Sequence, residues 1–332
     1  MSMLRVCQGH LIGFVVAILA IGSIPFLGTA YHTVLVFQIL MFVALAGSWN
    51  LMTGITGYMS FGHVVFFGVG AYGTAILITK AGLPWVPAVL GGGVAAALLA
   101  LLIGAICLRL RGHYFSIATF GLNEVTRVAV LLAAPLTNGA VGISLPIALG
   151  PLPDFYAMLA VVAATVAITY LVVNSRLGLR FIAVREDEDA ARAYGVPTVL
   201  LKVSIFAVSA FIAGLVGGIY AHNIAYIEPR TVFLPMLSLQ MIVFALFGGR
   251  GTVLGPVIGT VVLFMAWELL WVNFPYFHLV SFGIVTILIV LYMPNGVIGM
   301  MARLGFPGID MKIPNRTRMP MRRTPRLGAT TS

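Results

Sequence analysis

Four consecutive acids, Glu186, Asp187, Glu188 and Asp189, stand in the segment SRLGLRFIAVREDEDAARAYGVPTVLLK, residues 175 to 202, with long apolar runs on both sides. They are four of only nine acidic residues in the chain, so this island must lie in water while its flanks need not. What such a cluster offers is contact with a partner. It pairs no nucleophile with a base, and the six histidines are scattered, with no HExxH, GxSxG or GxxxxGK[ST] pattern anywhere. We therefore expect no catalytic residue, no metal site and no phosphate loop for ATP hydrolysis in this chain.

The island has its own local logic. Ala183, Ala190, Ala191 and Ala193, with Arg185 and Arg192 among the acids, favour a short helix whose acidic start suits the helix dipole. Gly195 supplies a stop and Pro197 prevents continuation. The expectation is a short amphipathic helix over 186 to 197, lying across the ends of two membrane helices; a solvated loop without a partner is the alternative.

A second set of polar residues sits inside apolar sequence. Asn50, Tyr58, Ser60 and His63 fall just before or within TGITGYMSFGHVVFFGVGAYG, which starts at Thr53 and holds Gly54, Gly57, Gly62, Gly68, Gly70 and Gly73. Irregular backbone at membrane depth survives only against protein or a water-filled cavity, so this stretch is a candidate wall of a pathway. Close helix packing through small residues is the competing explanation. Asn123 lies in a less apolar segment with Glu124 and Arg127, whose i, i+3 spacing puts them on one face where they can pair. Asn50, Tyr58, Ser60, His63 and Asn123 are the pathway candidates, with interhelical hydrogen bonding as their other possible role.

The elements that must carry these residues follow from composition. At 332 residues, 61% hydrophobic and 8% charged, the chain cannot bury its apolar surface in one water-soluble core, and runs of 18 or more uncharged residues mark it as an all-α polytopic membrane protein. Apolar runs cover residues 11 to 28, 33 to 51, 54 to 73, 84 to 108, 112 to 134, 155 to 173, 203 to 222, one on each side of Gly248 to Gly251, and 278 to 292. The first is expected to be a retained helix. About ten crossings result, with eight plus broken or re-entrant Gly-rich elements as the alternative. If the N terminus, the turn from Arg109 to Arg111, the island and the C-terminal tail all face the cytoplasm, an even number of crossings must separate each pair, and ten crossings satisfy every constraint.

The Pro- and Gly-rich residues 135 to 154 and the stretch 224 to 235 then face the other side. A short helix reaches Arg303, so residues 1 to 304 form the membrane domain, and 305 to 332 a basic tail whose composition predicts disorder beside anionic lipid. The net charge of +10 is explained by this orientation without invoking nucleic acid. Cys7 and Cys107 suggest neither a disulfide framework nor a metal site.

Among function classes, a proton- or sodium-coupled carrier is poorly provided, since Glu124, Glu228 and Glu268 are the acids expected near the membrane apart from Asp154. A voltage sensor would need a row of arginines in one helix, which is missing. A pore-forming subunit with one cytoplasmic contact element remains.

Asp189-Ala190-Ala191, three residues, then Gly195 resembles the EAA-x3-G coupling signature of ABC importer permeases, with Asp in place of Glu. REDEDAARAYGV from Arg185 is similar to the branched-chain amino acid permeases of the LivM type. So are WNLMTGITGYMSFGHVVFFGVGAYG from Trp49, RLRGHYFSIATFGLNEVTRV from Arg109, FGGRGTVLGPVIGT from Phe247 and PNGVIG from Pro294. These blocks keep the family order across residues 49 to 299.

The resemblance implies a multi-pass subunit of the bacterial inner membrane that pairs with a homologous second permease, two cytoplasmic ATPases and a periplasmic substrate-binding protein. ATP would be used by the partner subunits, with no cofactor bound here. Arg185, Glu186, Asp187, Glu188, Asp189, Ala190, Ala191 and Gly195 would form the ATPase-coupling element. The loops at 135 to 154 and 224 to 235 would be docking surfaces for the binding protein. Similar subunits serve urea, short amides, other amino acids and aromatic acids, so the solute stays open.

Overall fold

The computed structural model describes residues 16, 18–110, 112–146, 150–273, 278–292 and 296–303. The expectations for Arg5, Cys7, Arg111, Pro294, the tail, and residues 11–15 and 17 of the first run fall outside them. Long apolar helices dominate: α1 (Ala30–Thr56), α2 (His63–Thr79), α3 (Trp85–Cys107), α4 (His113–Leu132) and α5 (Pro151–Asn174) precede the island. The island forms α6 (Arg176–Glu186) and α7 (Glu188–Ala193). Beyond it come α8 (Thr198–Ile224), α9 (Pro235–Gly248), α10 (Gly255–Asn273), α11 (His278–Tyr292) and α12 (Gly296–Arg303). Among the described residues six helical stretches are long and apolar enough to cross a bilayer, and His63–Thr79 and Gly255–Leu270 are shorter apolar helices.

Helices α2, α3 and α8 form the centre. A Cβ at Gly70 would lie 2.1 Å from the carbonyl oxygen of Gly214, so the α2 and α8 backbones touch and no larger residue fits. Without a hydrophobic drive between helices in lipid, such contact lets dispersion and short polar bonds hold them together. The glycines of the 54 to 73 stretch thus serve close packing, while the Gly57 to Gly62 linker supplies the irregular backbone between α1 and α2.

The two ends of the bundle are each tied together. At one end, Asp154 in the first turn of α5 is fully buried and bonds His222 of α8 at 2.7 Å. Trp85 of α3 stacks on the same imidazole with ring centroids 5.1 Å apart. Nearby, β1 (Ile143–Ser144) pairs antiparallel with β2 (Tyr226–Ile227), in the register Ile143 to Ile227. This pair joins the two loops expected on the far side. The opposite end gathers the 57 to 62 linker, the C terminus of α3, the island and the start of α8.

Several boundaries differ from expectation. The α8 helix begins at Thr198, five residues earlier than the apolar run, because Lys202 is drawn into the protein. The α5 helix starts at Pro151, where proline at a first-turn position loses no helix bond. The run before Gly248 is broken: a helical turn over Pro229–Val232 stops at Phe233, and α9 restarts at Pro235.

Candidate functional site

The island is two helices where one was expected over 186 to 197. Asp187 adopts an extended conformation (φ −155°, ψ 108°), and its carboxylate accepts from the amides of Asp189 and Ala190, both at 3.0 Å. It therefore ends α6 and caps α7, an exchange that a short acidic side chain favours. Glu188 and Asp189 occupy the first turn of α7, where the dipole favours negative charge. The helix stops at Gly195, whose φ of +81° is a left-handed conformation, with Gly195 N to Arg192 O at 2.9 Å and Val196 N to Ala191 O at 3.1 Å. This pair of bonds is a Schellman motif.

Two faces result. Glu186, Asp187, Asp189, Ala190, Arg192, Ala193 and Tyr194 are exposed, with Tyr194 90% exposed, while Ala191 packs inward. Arg185 pairs with Glu186 at 3.0 Å and lays its stem on Gly57, where a Cβ would meet Arg185 Cγ at 2.8 Å.

Glu188 turns inward and is the centre of the site. Lys202 of α8, 1% exposed, donates from Nζ to Glu188 Oε1 at 2.8 Å, to Tyr58 Oη at 3.1 Å and to the Leu108 carbonyl at 3.1 Å. The same ammonium lies 4.3 Å from the centre of the Tyr58 ring. Tyr58 Oη donates to Glu188 Oε2. Thr198 Oγ1 and Arg192 Nη2 each reach Glu188 Oε1 at 3.3 Å. Burial alone pushes the Glu188 carboxyl up, but the hydrogen bonds from Lys202 and Tyr58 outweigh it and hold the carboxyl below its ordinary value. One carboxylate thus binds α7 to α8, to the 57 to 62 linker and, through Lys202, to the end of α3.

A buried charge survives only when paired and hydrogen-bonded, which makes this connection stiff. Sequence reasoning missed Lys202, which entered only as the last residue of the island. Its signal was a cation at the very edge of a run that is apolar from residue 203 to 221.

The pathway candidates do not gather in one place. Asn50 is buried and spends its amide on the loop between α9 and α10: Oδ1 accepts from Gly251 N at 2.7 Å and Nδ2 donates to Thr252 O at 2.9 Å. Tyr58 belongs to the Glu188 cluster. Ser60 is buried and its carbonyl accepts from Trp49 Nε1 at 2.7 Å. His63 is fully buried, edge-on to Phe66 and Phe206 at centroid distances of 5.9 and 6.2 Å. Asn123, 3% exposed, donates to the Phe233 carbonyl at 3.0 Å at the break before α9. Phe115, Thr119 and Asn123 form the one buried stripe of α4. The expected Glu124–Arg127 pair forms on its outer side.

The family described as branched-chain amino acid transport system / permease component matches residues 29–291. The high-affinity branched-chain amino acid transport system permease protein LivM of Salmonella typhimurium is 26% identical over 319 residues, covering 86% of this chain and 75% of that protein. LivH, the corresponding permease protein so named from the same organism, is 30% identical over 138 residues, covering 41% of this chain and 44% of that protein. The autoinducer 2 import system permease protein LsrC of Yersinia pseudotuberculosis is 29% identical over 189 residues, covering 52% of this chain and 53% of its own. No solved structure gives a significant match.

This chain belongs to the family of permease components of branched-chain amino acid transport systems.

Proposed function

From that membership we propose that the chain is one of two membrane subunits of an ABC importer for branched-chain amino acids, driven by cytoplasmic ATPases and supplied by a substrate-binding protein. In this reading α7 is the coupling element, and Glu188 is the point at which ATPase movement enters the membrane domain. ATP binding can shift a pore only through an element whose contacts differ between the ATPase states. The exposed face of α7, with Asp187, Asp189, Arg192 and Tyr194, is the surface for the ATPase. A displacement of α7 then loads α8, α3 and the α1–α2 linker together.

The observation that carries this is the 1%-exposed Lys202, whose three acceptors belong to three different elements. Pairing with a second permease is supported by α4. Its outer side exposes Tyr114, Ile117, Phe120, Val125 and Leu132 together with Glu124, 58% exposed and bonded to Arg127. The exposed side of α3, Val86, Leu90, Val94, Leu98 and Leu102, is purely apolar. A charged group facing lipid near the middle of a helix costs about 2.5–3.5 kcal/mol on insertion scales, so α3 suits lipid and α4 suits another protein.

The test is co-purification of the tagged chain from its native membrane with mass spectrometry, followed by ATP-dependent uptake of labelled leucine into proteoliposomes holding the recovered complex. Two ABC ATPases, a sister permease and leucine uptake are expected. Recovery of this chain alone as a stable homo-oligomer would replace the importer by a channel or carrier.

A further inference from the structure

Phe233 occupies the gap between the Pro229–Val232 turn and α9, and is fully buried. Its carbonyl takes a hydrogen bond from the Asn123 side chain at 3.0 Å, while Leu237 N, the helix donor four residues on, bonds Leu234 O instead. The Phe233 ring stacks on Tyr72 of α2 with centroids 6.1 Å apart and planes 16° from parallel. It lies so close to Gly68 that a Cβ there would come within 2.3 Å of it. Tyr72 and Asn123 fall near the middle of their helices, the tenth residue of α2 and the eleventh of α4, so this break lies within the membrane.

Two polar atoms border it unused. Tyr72 Oη and Asn123 Oδ1 are both buried and have no hydrogen-bond partner among the described residues. Leaving a buried polar group unpaired costs about 1–3 kcal/mol, so an orphan on each side of one residue calls for a cause. The fold offers none, because neither side chain needs its free atom to hold its place: Tyr72 packs through its ring and Asn123 is anchored through Nδ2. The two atoms differ in kind. A phenol hydroxyl can donate, whereas an amide oxygen can only accept. A zwitterion presents one group for each, a carboxylate for the hydroxyl and an ammonium for the amide oxygen.

We infer that Tyr72 and Asn123, flanking Phe233 at the break before α9, form a transient binding site for a zwitterionic amino acid crossing the membrane. Phe233 closes the site in the state described here; its amide caps the Pro229–Val232 turn by donating to the Pro229 carbonyl at 3.3 Å, so the site opens by rotation of the side chain with the backbone in place. Its ring and the bare backbone at Gly68 suit an apolar side chain. Discontinuous helices near the bilayer midplane serve transporters generally as places where backbone and polar side chains meet the solute. This inference rests on the importer reading above and adds where, and through which atoms, the solute is met.

The test is Tyr72→Phe in the full complex, reconstituted with its binding protein, with thermal stability and labelled leucine uptake measured side by side. Removing an unpartnered hydroxyl leaves stability unchanged or raises it, while losing a hydrogen bond to a charged group lowers leucine uptake about tenfold or more. Stability and uptake both like wild type would overturn the site while leaving the importer reading intact. A large fall in stability would show that the hydroxyl is already partnered in the fold, and also overturns it. A wild-type complex that imports urea or an aromatic acid and no amino acid overturns the zwitterion site and the proposed substrate together.

Discussion

Glu188→Gln and Lys202→Met should not be equivalent, although they break the same pair. In Glu188→Gln the ammonium of Lys202 stays 1% exposed and loses its compensating charge, with only neutral acceptors beside it: the Tyr58 hydroxyl, the Leu108 carbonyl and the new amide oxygen. Breaking a buried ion pair by removing one partner costs about 3–5 kcal/mol, because the other charge is left uncompensated. Lys202→Met leaves a carboxylate that is 11% exposed and keeps Arg192 and Thr198, each at 3.3 Å. That charge can shift toward water and Arg192, so the cost should fall nearer the ~1–3 kcal/mol of a lost buried hydrogen bond.

The double variant removes both charges and should be more stable than Glu188→Gln alone, since it leaves no uncompensated ammonium buried beside neutral groups. Equilibrium unfolding of the four proteins in mixed micelles gives these differences. Uptake separates stability from coupling: the double variant should stay folded and assembled, hydrolyse ATP and import little leucine. The reasoning fails if Lys202→Met is the costlier single change, if both singles lie within about 0.5 kcal/mol of wild type, the range of ordinary surface substitutions, or if the double variant imports normally.

The same carboxylate sets a pH limit. Its pKa lies below the ordinary 4.5 when folded, so its contribution is full above about pH 4.5 and fades as pH falls through the folded value; unfolding midpoints of wild type and Glu188→Gln should converge only below that range. Tyr194→Ala removes a side chain that is 90% exposed, so stability should change by no more than about 0.5 kcal/mol while ATPase recovery in a pull-down falls. Asn50→Ala strips Gly251 N and Thr252 O of their partners and should cost about 1–3 kcal/mol for each buried group left unpaired, read as a lower unfolding midpoint. Gly70→Val should abolish stable insertion, assayed as protein yield in the membrane, because even a Cβ would lie 2.1 Å from the Gly214 carbonyl oxygen.

Much was legible in the chain because lipid imposes a simple code. Uncharged runs announce helices, and the described residues 278–292 of the last apolar run are helical throughout. The acidic island was visible as the one acid-rich stretch between such runs, and Gly195 could be assigned as a stop because a left-handed residue at a helix end has few alternatives to glycine. These are local properties, written in residue type and spacing within a turn or two.

What the sequence could not disclose are the partners of its polar residues. Asn50, Tyr58 and Asn123 look alike as polar groups in apolar sequence, yet one braces the loop at Gly251, one joins Glu188 and Lys202, and one holds the carbonyl of Phe233. The separations involved, 201 residues for Asn50, 130 for Tyr58 and 110 for Asn123, carry no periodic signal. Hydrophobic pattern determines that a segment is a helix in a membrane. Which polar atoms meet, and which are left waiting for a partner, is decided only when the helices pack, because a hydrogen bond is settled over about 3 Å of space and not over distance along the chain.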